Sequence, residues 1–119
     1  MMKFETINEQ QIPKIGLGTW QMRGDSCRQS VLSALELGYR HLDTAEYYRN
    51  EKEVGQAVRE SSVPREDLFI TSKVWSNHYQ REAVVQACED SLRRLDLDYL
   101  DLYLIHHPSD AVPLEETLV

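Results

Sequence analysis

The chain contains 119 residues and carries a formal net charge of −7 at pH 7, with lysines and arginines scattered along it. This length suits one modest domain, and the lack of a basic face argues against nucleic acid or an anionic membrane as a partner. The N-terminus lacks the apolar stretch of a signal peptide, and no apolar run reaches membrane length. Since Cys27 and Cys88 match no disulfide or metal spacing, we expect a reduced, cytoplasmic protein.

Strand and helix patterns alternate along the chain after a short N-terminal hairpin. Residues 4–12 predict this hairpin, with a polar bend at residues 8–11 between two apolar edges. Strands are then predicted at residues 14–20, 39–45, 68–74 and 99–105, and helices at residues 26–37, after Asn50, at residues 81–95 and from Pro113. Alternation of this kind favours a parallel sheet with helices packed outside it.

Sequence signals also predict where the helices begin and what they bury. Ser26 with Gln29 and Asn50 with Glu53 resemble capping boxes, and Gly38 marks the end of the first helix. The third helix is predicted to bury its apolar side chains, which are Val84, Val85, Ala87, Cys88 and Leu92. We interpret the charged side chains near these helices as solvated caps and surface, namely Glu51, Arg93 and Arg94.

Three predicted strands end in a residue capable of acid–base chemistry: Asp43, Lys73 and His106. They are spaced by about thirty residues, the length of one βαβ unit. In parallel α/β folds, ligands bind at the carboxyl ends of the strands. Because side chains alternate along a strand, Asp43 shares a face with His41, and Lys73 shares one with Thr71. The sequence therefore predicts that an acid, a lysine and a histidine converge at one rim.

Asp43 is the residue at this rim that most needs a partner, because a carboxylate at a buried strand end is costly unless a cation or hydrogen-bond donors meet it. Lys73 is the predicted partner. The two residues form either a catalytic pair or a structural ion pair, and His106 on its own would more often be a hydrogen-bonded core histidine. Trp20 falls at the same rim, where it is either a half-buried core aromatic or part of a pocket.

Four motifs occur in the order and spacing of a known family. They are Gly-Leu-Gly-Thr-Trp at residues 16–20, the block at residues 38–55, Ile-Thr-Ser-Lys at residues 70–73 and Asp-Leu-Tyr-Leu-Ile-His at residues 101–106. Over nearly its whole length the chain resembles the aldo-keto reductases. The resemblance implies an α/β fold, the N-terminal half of a TIM (β/α)8 barrel with parallel strands and outer helices after the short β-hairpin. It also implies NADPH-dependent reduction of a small-molecule carbonyl substrate, an aldehyde or a ketone, to an alcohol.

The resemblance further implies roles for individual residues. The implied catalytic residues are Asp43, Tyr48, Lys73 and His106. The implied cofactor-binding residues are Gly18, Thr19, Trp20 and Asp43, and the implied substrate-binding residues are Trp20, Tyr48 and His106. No metal site is implied. Tyr48 is chosen over its neighbour Tyr47 only because the family places the tyrosine five residues after Asp43.

Reduction of a carbonyl group explains why these residue types are needed. Hydride addition leaves an alkoxide that must receive a proton, and Tyr48 would be the general acid. The ammonium of Lys73 would stabilise negative charge on the phenol oxygen by Coulomb attraction, while Asp43 would keep that lysine charged and oriented. His106 would donate to the substrate oxygen and fix its orientation. The nicotinamide supplies the hydride, because no side chain here can.

The length of the chain limits what it is expected to do alone. A closed eight-stranded barrel needs roughly 250 residues, so we expect residues 1–119 to be a partial domain, truncated after the fourth strand. In the family, later strands supply most of the cofactor site, including a Ser-Asn-Gln strand and a basic patch for the adenosine phosphate. We therefore expect little reductase activity from the chain alone, and self-association through its uncovered half-barrel edges.

Two other classes of function stay open at this point. A metal-dependent hydrolase on the same scaffold could use His41, Asp43 and His106 as metal ligands, although Tyr48 and Lys73 would then have no role. The other class is non-enzymatic, a half-barrel fragment that pairs with itself or with a partner protein. The hydrolase requires His41, Asp43 and His106 to lie close enough to share a metal ion, whereas the half-barrel fragment requires no such arrangement.

Overall fold

The computed structural model describes residues 2–118 and shows a parallel sheet with helices outside it, preceded by a hairpin. The strands are β1 Phe4–Ile7, β2 Gln10–Pro13, β3 Leu17–Gly18, β4 His41–Asp43, β5 Phe69–Val74 and β6 Leu102–Ile105. The helices are α1 Gly24–Glu36, α2 Glu51–Glu60, α3 Arg81–Leu95 and α4 Leu114–Thr117. Within residues 2–118, no helix has both the length and the apolar character needed to cross a membrane.

The four parallel strands lie in the order β3, β4, β5, β6, which is also their order in the chain. This is the arrangement expected of half of a (β/α)8 barrel. The strands are shorter than the apolar runs that predicted them, because only the central residues of each run pair with a neighbouring backbone. β3 and β4 share two residue pairs, in which Gly18 lies opposite Asp43, and β4 and β5 share three.

The hairpin is present, but its turn is tighter than expected. β1 and β2 pair in antiparallel fashion, with Ile7 opposite Gln10, so the turn consists of Asn8 and Glu9 alone. Both residues have positive φ, 49° and 66° respectively, as a two-residue turn that continues the strand twist requires. The prediction of a four-residue bend was therefore wrong, because Gln10 and Gln11 belong to β2. Glutamate rarely adopts this conformation, which is why the sequence alone did not reveal the turn.

The main core lies between the outer face of the sheet and the helices α1 and α2. Its buried side chains are Cys27, Val31, Leu35, Leu42, Val54, Ala57, Val58, Leu68, Ile70 and Leu95. The third helix has the predicted bounds, but the prediction that Val85 is buried was wrong. Val85 is 57% exposed, and Ser91 and Leu95 are buried instead. The buried face of α3 is thus rotated relative to the predicted one.

The helix starts also differ from the predicted capping boxes. α1 begins at Gly24, so Ser26 lies within the first turn and does not cap it. Asn50 does occupy the position before α2, but its side chain makes no capping hydrogen bond. Gly38 follows α1 with φ of +107°, a conformation in which side chains are strained. The end of the first helix was therefore better predicted than its beginning.

Glu51 and Arg94, which we expected at the surface, form an ion pair between helices. Glu51 is 2% exposed, and its Oε2 accepts a hydrogen bond of 2.7 Å from the Ser72 hydroxyl. The Nε of Arg94 donates to Oε1 of Glu51 at 2.8 Å. This interaction joins α2, β5 and α3. The surface interpretation was therefore wrong for Glu51, whereas the Arg94 side chain is 44% exposed and reaches the buried carboxylate from the surface. Arg93 is exposed as expected and pairs with Asp90.

Gly55 marks the closest approach of α2 to α3, and its substitution is expected to destabilise the protein. A Cβ atom at this position would overlap the backbone carbonyl of Leu95, which cannot rotate away. We expect Gly55→Ala to lower the free energy of unfolding by about 1–3 kcal/mol through overpacking, although alanine favours a helix more than glycine does. Urea unfolding of the 119-residue chain measures this.

Gly18→Ala is the matched control for this variant, because a Cβ at Gly18 meets no atom within 4 Å. We expect its urea midpoint to stay close to that of the unsubstituted chain. A Gly55→Ala variant that unfolds at the same or a higher urea concentration than the unsubstituted chain would show that α2 and α3 are farther apart than described.

Candidate active site

The structure brings four predicted residues to the carboxyl end of the parallel sheet. Asp43 ends β4, Lys73 is the penultimate residue of β5, and His106 directly follows β6. Tyr48 is the last residue of a short 3-10 turn, Glu46–Tyr48, which follows β4. Because neighbouring parallel strands end at the same edge, residues far apart in sequence meet there.

Lys73 is the centre of this group of side chains. Its Nζ donates to Oδ1 of Asp43 at 2.6 Å, to the carbonyl oxygen of Thr44 at 3.0 Å and to the hydroxyl of Tyr48 at 3.4 Å. The Lys73 side chain is only 13% exposed. A largely buried ammonium needs acceptors for its three protons, and these three contacts supply them. The position of the lysine charge beside the phenol oxygen is therefore fixed by its surroundings.

The backbone around the 3-10 turn explains why Tyr48, and not Tyr47, faces Lys73. Ala45 is fully buried and extended, and Arg49 ends the turn in the left-handed conformation with φ of 57°. Within this turn the two tyrosine rings diverge. Tyr48 lies over Lys73, whereas Tyr47 stacks on Trp75 with 3.9 Å between ring centroids. The contact with Lys73 thus distinguishes two neighbouring residues that composition alone cannot separate.

His106 lies beside Tyr48 with one ring nitrogen unused. The two ring centroids are 5.6 Å apart in an edge-on arrangement, and the His106 backbone N–H donates to the Val74 carbonyl at 3.0 Å. The Nδ1 atom is buried and has no hydrogen-bond partner in the described part of the chain. Burial lowers the pKa of the His106 ring, and the nearby Lys73 and His107 lower it further. The lowered pKa favours the neutral form of the ring at pH 7.

The lowered pKa of His106 predicts a pH dependence of stability. In the unfolded chain its pKa is about 6.5, so protonation below that pH favours the unfolded state, which binds the proton more readily. The stability that the neutral ring provides is complete above pH 6.5 or so and is lost as the pH falls through the lower pKa of the folded state. We expect His106→Gln to weaken this loss in urea unfolding curves recorded across this pH range. A His106 ring that titrates by NMR at or above the ordinary histidine pKa would contradict the prediction.

The residues predicted for cofactor binding occupy different positions at the rim. Gly18 and Asp43 line a hollow of about 500 Å³ on the inner face of the sheet, together with Lys73. Trp20 is 52% exposed, and its ring centroid lies 5.1 Å from that of Tyr48. Thr19 is fully buried, and both its backbone N–H and its hydroxyl donate to the Asp43 carbonyl. Gly18 and Trp20 are thus accessible to a ligand, whereas the buried Thr19 side chain links the segment after β3 to the end of β4.

Trp75 was not predicted as a site residue. Its ring stacks on Tyr47 and meets the His106 ring edge-on, with centroids 5.0 Å apart. With Trp20 and Tyr48 these rings form one aromatic wall, which consists of Trp20, Tyr47, Tyr48, Trp75 and His106. The signal that could have revealed Trp75 is its position directly after the end of β5, close to the rim at which Trp20 was predicted to lie.

Asn50 is a second residue whose role the sequence did not reveal. Its side chain is fully buried and donates to the carbonyl oxygens of Thr19 at 2.7 Å and Met22 at 3.1 Å. Its Oδ1 accepts from the Thr44 hydroxyl at 2.9 Å. Asn50 therefore ties the segment after β3 to the segment after β4. These bonds fix the two loops between which Trp20 and Tyr48 lie.

The structure does not assemble the metal ligands that a hydrolase would need. Of the predicted set, His41 has both ring nitrogens near protein atoms, the Pro13 carbonyl at 3.3 Å and the Thr71 hydroxyl at 3.1 Å. Across residues 2–118, no three histidine, cysteine or acidic side chains are grouped so that they could hold a metal ion. Within these residues, His41, Asp43 and His106, the ligands of the hydrolase hypothesis, are therefore not assembled as a metal site.

Comparison with known proteins identifies the family. The Aldo/keto reductase family model matches residues 14–119. The chain belongs to this family. Among curated aldo/keto reductase relatives, glycerol 2-dehydrogenase (NADP(+)) of Saccharomyces cerevisiae is 52% identical over 103 residues, which cover 87% of this chain and 32% of that protein. Methylglyoxal reductase DkgB of Salmonella typhi is 50% identical over 107 residues, covering 88% of this chain and 40% of that protein.

Solved aldo/keto reductase structures have the same fold. A putative 2,5-diketo-D-gluconic acid reductase B superposes with a TM-score of 0.93 at 43% identity, covering 98% of this chain and 42% of that one. A Bombyx mori aldo-keto reductase in complex with NADP superposes with a TM-score of 0.92 at 39% identity, covering 98% of this chain and 44% of that one. The chain thus spans less than half the length of these relatives, and its fold is the N-terminal half of their barrel, as predicted.

Proposed function

We propose that this chain supplies the catalytic residues of an NADPH-dependent reductase that converts an aldehyde or a ketone to an alcohol. The observation that supports this proposal is the continuous contact from Asp43 through Lys73 to Tyr48, with the unpartnered ring nitrogen of His106 beside it. The names of the relatives agree with it, since one is a glycerol 2-dehydrogenase (NADP(+)) and another a methylglyoxal reductase.

The residues at the rim fit a nicotinamide. Gly18 presents bare backbone to the hollow, where a Cβ would meet no other atom, so a flat ring can approach closely. We propose that Gly18, Trp20 and Asp43 hold the nicotinamide end of NADPH, with Thr19 supporting them from the buried side. A relative from Bombyx mori was solved in complex with NADP, which supports this choice of cofactor. When bound, the nicotinamide supplies the hydride.

Tyr48 is the proposed proton donor. Its hydroxyl faces Lys73, whose ammonium donates to the phenol oxygen at 3.4 Å. The positive charge stabilises the tyrosinate that remains once the proton has moved to the substrate oxygen. Asp43, 2.6 Å from the same ammonium, keeps the lysine charged and oriented. The three residues therefore lower the barrier to protonation of the product, each through a contact that is visible in the structure.

His106 is the proposed ligand of the substrate oxygen. Nδ1 of His106 is buried, so Nε2 is the ring nitrogen that a ligand would meet. A carbonyl oxygen that binds at this ring and at Tyr48 would meet two hydrogen-bond donors, which polarise the carbonyl group. We propose that Trp20, on the other side of the Tyr48 ring, completes the substrate-binding residues together with Tyr48 and His106.

We further propose that the 119-residue chain alone binds NADPH weakly and self-associates. Its sheet has an open inner face, on which Leu102 and Leu104 are 37% and 40% exposed. Apolar side chains of this kind are covered in a closed barrel, and when uncovered they favour association. Fluorescence titration with NADPH and sedimentation of the purified chain test this proposal. Micromolar affinity, or a monomer at high concentration, would contradict it.

The reduced, cytoplasmic location also remains our proposal, and the state of the cysteines supports it. Cys27 is buried and Cys88 is partly buried, and both are free thiols. Burial raises the pKa of Cys27 to about 11, with a contribution from Glu53, and burial also raises the pKa of Cys88. Thiols that stay protonated at pH 7 are poor nucleophiles, so we assign neither cysteine a part in the reaction.

The reductase proposal is best tested in a fusion that we call the completed barrel. In it, residues 14–118 of this chain replace the matching segment of the methylglyoxal reductase, which supplies the remaining strands. We expect the completed barrel to consume NADPH in the presence of small aldehydes or ketones such as methylglyoxal. A fusion that folds and binds NADPH but reduces no carbonyl compound would refute the proposal and favour the non-enzymatic half-barrel.

A further inference from the structure

The side chain of Glu46 lies behind the aromatic wall and is largely buried. It is 10% exposed, although it belongs to the same 3-10 turn as Tyr48. Its Oε1 accepts a hydrogen bond of 2.5 Å from the backbone N–H of Trp75 and lies 3.0 Å from Nδ1 of His78. The Arg94 guanidinium lies 3.9 Å from the other carboxylate oxygen. The carboxylate is thus held by donors from the segment after β5 and by a cation from α3.

These contacts join the two segments that carry Tyr48 and Lys73. Tyr48 follows Glu46 by two residues, and Trp75 follows Lys73 by two residues. The two segments are therefore in contact at two points. The Trp75 N–H donates to the Glu46 carboxylate, and the Lys73 Nζ lies 3.4 Å from the Tyr48 hydroxyl. Because the two contacts lie within two residues of each other along both segments, we expect a change in one of them to displace the other.

We infer that Glu46 is a positioning residue that sets the distance between the Tyr48 hydroxyl and the Lys73 ammonium. This inference rests on the proposed function, in which Tyr48 donates the proton. Glu46 does not line the hollow. The described hydrogen bonds and ion pairs of its side chain go to Trp75, His78 and Arg94, and not to the residues assigned to the cofactor, which are Gly18, Trp20 and Asp43. Its removal therefore acts on the chemical step and not on the binding of NADPH.

Glu46 also fixes the aromatic wall from behind. The Trp75 ring, whose backbone Glu46 holds, stacks on Tyr47 and meets His106 edge-on. His106 in turn lies against Tyr48. Loss of the Glu46 hydrogen bond would therefore loosen both proposed donors to the substrate oxygen, Tyr48 and His106.

The kinetic test compares Glu46→Ala with Glu46→Gln in the completed barrel. Displacement of a reacting group by about 1 Å can cost up to about 100-fold in rate, so we expect Glu46→Ala to lower kcat by about 10- to 100-fold with the dissociation constant of NADPH unchanged. Glu46→Gln should restore most of this loss, because the amide oxygen still accepts the Trp75 N–H. Ser72→Ala is the control, since it loosens the outer face of β5 through Glu51 but leaves the Glu46 hydrogen bonds intact.

A kcat of Glu46→Ala equal to that of the unsubstituted protein would overturn the inference. So would an equal loss in Ser72→Ala, which would mean that any loosening of β5 slows the reaction. Activity of the unsubstituted completed barrel is measured first. If it reduces carbonyls, either of these results overturns the inference about Glu46 while the proposed function stands.

An NMR test in the 119-residue chain does not depend on activity. An N–H that donates to a carboxylate has a strongly shifted proton resonance and exchanges slowly with water. We expect the Trp75 amide to lose both properties in Glu46→Ala, and the cross-relaxation between the Tyr48 ring and the Lys73 side chain to weaken. A Tyr48–Lys73 contact that persists unchanged in Glu46→Ala would overturn the inference even if the completed barrel proved inactive.

Discussion

Replacing Tyr48 by phenylalanine in the completed barrel is expected to lower kcat for carbonyl reduction by about 10²- to 10⁴-fold. The substitution removes the hydroxyl that Lys73 contacts and leaves the ring, which packs against Trp20 and His106. The affinity for NADPH should change little, since the lost hydroxyl is the proposed proton donor and is not among the groups proposed to hold the cofactor. Steady-state rates of NADPH consumption, with NADPH binding measured separately, test this prediction.

Tyr47→Phe is the matched control, because it changes the adjacent residue of the same turn by the same atom. The Tyr47 ring stacks on Trp75 at 3.9 Å and would keep that contact. We expect kcat to remain close to that of the unsubstituted protein. If the two variants lose activity equally, or if Tyr47→Phe is the slower enzyme, the assignment of the proton donor to Tyr48 is wrong.

Replacing Arg94 by methionine is expected to cause the largest loss of stability. Glu51 is buried, and without Arg94 its carboxylate would retain, among residues 2–118, only the Ser72 hydroxyl as a donor. Removing one partner of a buried ion pair costs about 3–5 kcal/mol in the free energy of unfolding. Because the Arg94 side chain is 44% exposed and water reaches the pair at that edge, we expect a loss near the lower end, about 3 kcal/mol. Urea unfolding measures it.

The neighbouring residue provides the control for this variant. Arg93 has a 69% exposed side chain, and its one ion pair in the described part of the chain is with Asp90, one turn away on the same helix. Exposed pairs of this kind contribute about 0–1 kcal/mol, so Arg93→Met should unfold close to the unsubstituted chain. Equal losses from both arginine substitutions would mean that Glu51 is not buried as described.

Local sequence patterns predicted those elements whose signals lie close together in the chain. The bounds of α3 coincide with the predicted residues 81–95, and Gly38 ends α1 as expected. The meeting of Asp43 and Lys73 was predicted from a different argument, the need of a buried carboxylate for a cation. Their 2.6 Å contact agrees with that physical reason.

The contacts that the sequence did not predict join residues far apart in the chain. Arg94 lies 43 residues from Glu51, and nothing in the sequence around either residue indicates the other. Glu46 likewise depends on a backbone N–H of Trp75, which no side-chain pattern records. The choice of Tyr48 over Tyr47 came from the family register, since it depends on the turn that ends at the left-handed Arg49. Such features depend on the assembled fold.

The central claim is that Tyr48 and His106 together bind and protonate the oxygen of a carbonyl substrate beside NADPH. A crystal structure of the completed barrel with NADP+ and an unreactive carbonyl compound tests it most directly. We predict a carbonyl oxygen about 3 Å from both the Tyr48 hydroxyl and a ring nitrogen of His106. A compound whose oxygen lies away from both groups, or a Tyr48 hydroxyl that has left Lys73, would contradict the account.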